Sequence, residues 1–127
     1  MNENQLYELK LNIFKQATLY IEKFGSFAPF ASSILNDAVT PVGYYTDEDS
    51  VDVMNAAEMI QEQLSDKIKA GDADGAALAF DVRIEVENDE GVLEKRDAMC
   101  LRISVDEITW NEGYFLYKIV NGECVWK

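Results

Sequence analysis

The stretch ALAFDVRIEVE, residues 77–87, decides the fold. Leu78, Phe80, Val82, Ile84 and Val86 alternate with Ala79, Asp81, Arg83, Glu85 and Glu87. Successive side chains of a strand point to opposite faces, so a period of two marks a strand with one buried face and one wet face. Asn88-Asp89-Glu90-Gly91 supplies turn chemistry, and the chain then returns. On the return strand Met99, Leu101, Ile103 and Val105 are expected inward, with Cys100, Arg102, Ser104 and Asp106 opposite.

Downstream, Asn111-Glu112-Gly113 reads as another turn and Tyr114 to Val120 as another strand. Asn121-Gly122 is a strong two-residue hairpin signal, because both positions tolerate the positive φ such a turn requires. That turn sets a register of Val120 with Glu123, Ile119 with Cys124, and Tyr117 with Trp126.

Upstream, Leu6, Leu9, Ile13, Ala17, Tyr20, Ile21 and Phe24 recur at helical spacing, widened by Leu11 and Phe14. They predict a helix over residues 4–24, ended by Gly25. SFAPFASSILNDAVTPVGYYT, residues 26–46, reads as a short hairpin turning at Asn36-Asp37. Pro29 and Pro41 lack a backbone donor and confine its strands to short or edge positions. A second helix is expected from Val51 to Ala70, capped by Asp49 or Ser50. Val53, Ala57, Ile60, Leu64 and Ile68 form its stripe, and Gly71 stops it.

The fold class is therefore α+β, in one domain spanning 1–127. The expected order is helix, short β-hairpin, helix, then a four-stranded antiparallel meander. Both helices are expected on one sheet face, the economical way to cover a single apolar surface.

Composition narrows the function. The chain has 24 acidic residues, 11 basic residues and no histidine, a net charge of −13. Such a chain repels phosphate backbones and anionic membrane surfaces, so neither nucleic acid nor membrane is an expected partner. It attracts basic proteins. Without histidine there is no histidine-based triad and no commonest general base. No glycine-rich phosphate loop or nucleophile elbow is present. Cys100 and Cys124 lack metal-ligand spacing and suit a reducing, cytoplasmic setting; no signal peptide or membrane span is read. No metal or other cofactor is expected. Asp72-Ala-Asp74-Gly75 fails as a calcium loop, because its glycine comes too early and no terminal glutamate follows. Asp47-Glu48-Asp49 reads as helix-start acids.

Two groups of carboxylates stand out. Asp81, Glu85, Glu87, Asp89 and Glu90 lie along one strand face and its turn, as a solvated face or as a docking surface for a basic protein. Asp97 has the parity of Met99 and Leu101, which points it inward in an unbroken strand. A buried carboxylate is a functional candidate, whereas a late start to the ordered face or a bulge leaves Asp97 in solvent. Tyr44, Tyr45, Trp110 and Tyr114 are aromatics for a pocket or for the core.

Gly25-Ser-Phe27-Ala-Pro29-Phe30 and Lys95-Arg96-Asp97-Ala98 resemble the motifs of a group of small bacterial proteins. In that group a first helix ends in Gly-x-Phe-x-Pro-Phe, a hairpin and second helix follow, and a later strand carries Lys-x-Asp-Ala. The resemblance covers most of the chain and implies the same architecture. A histidine associated with the acidic run near the fifth strand in that group is missing here, and the resemblance implies no function.

The expected function is non-enzymatic protein binding, in one version an acidic immunity-type protein covering a basic toxin. The alternatives are a small-molecule-binding domain or weak enzyme using Asp97 beside aromatic residues, and a structural or oligomerisation module.

Overall fold

A computed structural model describes residues 2–42, 53–106 and 108–127. The elements run α1 (Glu3–Phe24), β1 (Phe30–Leu35), β2 (Ala38–Val42), α2 (Val53–Lys69), β3 (Gly75–Glu87), β4 (Leu93–Ser104), β5 (Asn111–Val120) and β6 (Glu123–Trp126). The protein is α+β, with one antiparallel sheet ordered β2-β1-β3-β4-β5-β6. The hairpin and the meander are parts of one sheet. β1 docks on β3, from Phe30 opposite Ala79 to Ile34 opposite Gly75, and joins them into a six-stranded sheet.

Local signals explain most boundaries. Asn2 caps α1 through a reciprocal pair: its Oδ1 accepts the Gln5 amide at 2.8 Å, and its own amide donates to Gln5 Oε1 at 3.0 Å. Gly25 closes that helix at φ 82°, the left-handed conformation glycine adopts without strain. Asn36 and Asp37 both take positive φ, as a two-residue hairpin turn demands. Asn121-Gly122 does the same, and the register read from it is the observed one, including Tyr117 opposite Trp126. The expected start of α2 at Val51, its Asp49 or Ser50 cap, Asp47, Glu48, Tyr44 and Tyr45 lie outside the described residues.

The helices pack on opposite faces of the sheet, not on one. Leu9, Ile13, Ala17 and Ile21 of α1 meet Phe30, Ile34, Ala77, Ala79, Met99, Leu101 and Tyr117. Ala57, Ile60 and Leu64 of α2 meet Ala31, Ala76, Leu78, Phe80 and Cys100. The physical reason lies at the start of β3. From Gly75 to Phe80 every residue is buried, so both parities need a cover. Ala76, Ala77 and Ala79 are small enough to let a helix approach from each side.

That arrangement overturns the expected outward face of β4. Cys100 and Ser104 are buried on the α2 side, and Val105 is exposed beyond the strand. The turn expected at Asn111-Glu112-Gly113 is also displaced, because β5 already starts at Asn111. The chain reverses earlier, around Asp106, whose Oδ1 accepts the Thr109 amide at 2.7 Å and the Ile108 amide at 3.0 Å. A side chain standing in for a backbone acceptor is how aspartate makes a turn.

Candidate functional site

Phe27, between α1 and β1, and Phe30, the first residue of β1, pack edge to face with centroids 5.5 Å apart. Tyr20 meets Phe30 at 5.4 Å, and Tyr117 meets Phe27 at 6.5 Å and Trp126 at 5.6 Å. Edge-to-face rings set the positive rim of one against the negative face of the next. A cleft of about 430 Å³ opens at the C-terminal end of α1, lined by Tyr20, Phe24, Ser26, Phe27, Pro29 and Phe30 among others. A cleft this size, walled mostly by aromatic rings, suits an apolar group.

Asp81 sits beside this cluster. Tyr117 Oη donates to Asp81 Oδ1 at 2.7 Å, and the Phe27 amide donates to the same carboxylate. Partial burial raises the Asp81 carboxyl above its ordinary value, against the lowering effect of both hydrogen bonds, and the charge of Asp97 adds to the rise. Burial and the Asp81 carboxylate likewise push the Tyr117 phenol up. Asp81 therefore departs from the acidic surface on which the sequence placed it. Its parity is that of Ala79 and Met99, on the face that α1 covers.

Asp97 is exposed, which corrects the reading of it as a buried carboxylate. The parity was right, since it shares a face with Met99, but α1 does not reach that far along β4. In register it opposes Arg83, two pairs outward from Asp81 and Met99 and on the same face. The buried-carboxylate candidate is Asp81. The signal available in sequence was the apolar run before it, which makes both faces of β3 interior up to Phe80.

Glu85, Glu87, Asp89 and Glu90 are exposed, as the docking-surface reading requires. They occupy the outer half of the β3–β4 hairpin. β1 pairs with β3 only as far as Ala79, and β5 pairs with β4 only from Ala98. Among the described residues, Val82 to Asp97 form a ribbon whose strands pair with each other alone. Asn88 shapes its tip: Oδ1 accepts the Glu90 and Val92 amides, and Gly91 takes φ 77°. Val92 and Leu93 are exposed there, at 56% and 66%.

The other candidates have structural explanations. Asp74 Oδ2 accepts the Asn36 amide at 2.9 Å, tying the turn before β3 to the β1–β2 turn. Trp110 Nε1 donates to Ser65 Oγ at 3.2 Å and packs against the α2 core, whereas Tyr114 is exposed. Cys100 is buried, and burial together with the Glu112 carboxylate pushes its thiol up to about 12, the opposite of an activated thiolate. Burial and Glu22 raise the half-buried Cys124 thiol as well. Among the described residues no group of three or more histidine, cysteine or acidic side chains is arranged to hold a metal ion. No described helix is long and apolar enough to cross a membrane.

The chain matches no known family model, no curated protein and no solved structure.

Proposed function

We propose that the protein is a non-enzymatic docking protein that binds a basic partner protein through the outer half of the β3–β4 hairpin. One observation carries this reading. The ribbon from Val82 to Asp97 extends past its neighbouring strands and holds six acids, Glu85, Glu87, Asp89, Glu90, Glu94 and Asp97, against three basic residues, Arg83, Lys95 and Arg96. An isolated two-stranded ribbon is marginal in water, so one that projects from a sheet gains from a partner. Its acids supply long-range steering and register, and Val92 and Leu93 at the tip supply apolar contact. An immunity-type protein that covers the basic site of a toxin is the concrete form.

The test is retention of a basic protein from the native host at low salt, then reconstitution with that protein purified. The quadruple variant Glu85→Lys, Glu87→Lys, Asp89→Lys, Glu90→Lys should fold normally and bind at least tenfold more weakly. Reconstituted binding that ignores both ionic strength and this charge reversal overturns the proposal.

The aromatic cleft favours a second reading, a small-molecule-binding domain. Phe27 links the cleft to the carboxylates, because its ring lines the cleft and its amide holds Asp81. Asp97 is near enough for its charge to act on both Asp81 and Tyr117. In this reading an apolar ligand raises the melting temperature of the wild type and not that of Phe27→Ala or Asp97→Asn.

A further inference from the structure

Every open sheet has edges whose unpaired amides and carbonyls invite another strand. Two edges of this sheet are blunted. β2 carries Pro41, which offers no amide, and β6 is a four-residue strand whose Cys124 amide is taken by Glu22 Oε2 at 2.9 Å. Along the edge of β3 beyond Ala79 there is, among the described residues, no proline and no side chain that takes up a backbone amide of that edge. Among the described residues no strand pairs with it.

The sequence along that edge is Val82-Arg83-Ile84-Glu85-Val86. Its apolar sizes are symmetric about Ile84, and its charges are opposite about Ile84. Laid antiparallel against a second copy with Ile84 opposite Ile84, Val82 meets Val86 and Arg83 meets Glu85, each twice. All the side chains keep their faces: Val82, Ile84 and Val86 share the side of Phe80, while Arg83 and Glu85 share the side of Asp81. Arg83 and Glu85 are both exposed, and neither forms an ion pair among the described residues.

Neighbouring registers are worse. Centring on Arg83 or on Glu85 sets a like charge against itself, and a slip of one residue puts the apolar set opposite the charged one. The matching edge of β4, Leu93 to Asp97, is centred on Lys95 and would oppose Lys95 to Lys95. A two-fold interface demands a self-complementary patch, and Val82–Val86 of the β3 edge is one, flanked by the acids Asp81 and Glu87, which bound the paired stretch.

We infer that two copies of this chain associate through antiparallel pairing of their β3 edges, from Val82 to Val86, about a two-fold axis at Ile84. The pairing converts two projecting ribbons into one continuous sheet and leaves Asp89 and Glu90 at the ribbon tips outside the paired stretch. It goes beyond the basic-partner proposal, with which it shares Glu85, and its failure is separable because it is tested with the purified chain alone.

Sedimentation equilibrium should find a dimer for the wild type. Arg83→Glu and Glu85→Arg should each weaken it at least tenfold, since each creates two like-charge contacts. The double variant carrying both should restore it. Both side chains are exposed, and unchanged circular dichroism and melting separate loss of pairing from loss of fold. In a background with Cys100 and Cys124 replaced by serine and alanine, Ile84→Cys should cross-link to itself on mild oxidation. Glu87→Cys should not, because its counterpart would lie opposite position 81. A strictly monomeric wild type, a dimer indifferent to the single charge changes, a double variant that stays monomeric, or equal cross-linking at both positions overturns the inference.

Discussion

Tyr117 Oη of β5 reaches across β4 to donate a 2.7 Å hydrogen bond to Asp81 Oδ1 of β3. The bond spans two strand spacings, so only a long side chain makes it. It gives the half-buried carboxylate a partner where water is partly excluded. Tyr117→Phe keeps the ring in its aromatic cluster and removes this partner. Urea unfolding should register a loss of about 1–2 kcal/mol. An unchanged transition midpoint would show that water replaces the phenol at no cost.

The raised carboxyl of Asp81 carries a pH signature. In the folded chain it holds its proton more tightly than its ordinary value of 3.8 implies. Its contribution to stability is therefore full below that value and is lost as pH rises through the raised folded value. Asp81→Asn abolishes the titration. Relative to the wild type, the variant should gain melting temperature between about pH 3 and pH 7. A relative loss over that interval would show the carboxylate to be favoured in its ionised form.

Opposed helices make both faces of the sheet interior. Leu78 is fully buried toward α2, and Met99 is fully buried toward α1. Leu78→Ala and Met99→Ala should each cost about 2–5 kcal/mol, because each leaves a cavity inside a packed layer. Circular dichroism in denaturant measures both. Tolerance of either change, below about 1 kcal/mol, would mean that its helix is a loose cover.

The thiols should be inert in the folded protein. Cys100, with its thiol pushed up to about 12, carries almost no thiolate at pH 8, and its side chain is inaccessible. A colorimetric thiol reagent should label Cys100 at least about a hundredfold more slowly in native buffer than in denaturant. Comparison with Cys124→Ser assigns the signal, and rapid native labelling of that variant would contradict the burial.

The tight turns were legible because they are local chemistry. Asn36-Asp37 and Asn121-Gly122 require positive φ, and few residues accept it. The turn at Asp106 was misplaced because Asn111-Glu112-Gly113 carries the stronger local turn residues, and the amides accepted by the Asp106 side chain are visible only in the structure. Asp97 and Asp81 exchanged roles for a different reason. Parity along a strand assigns a face, but how far a helix extends over that face is set by packing between distant segments. α1 buries Met99 and leaves Asp97 exposed on the same side of β4.

By itself the sequence determined the helical stripes, the register of the β5–β6 hairpin, the alternation of β3 beyond Phe80 and the sign of the net charge, all of which follow from spacing and residue type. Only the tertiary structure decided that the helices lie on opposite faces, that β1 joins β3, and that Asp81 meets Tyr117 and Phe27. Those outcomes depend on which surfaces find each other across long stretches of chain. A run such as Ala76-Ala77-Leu78-Ala79-Phe80 states that both sides must be covered without naming the covers.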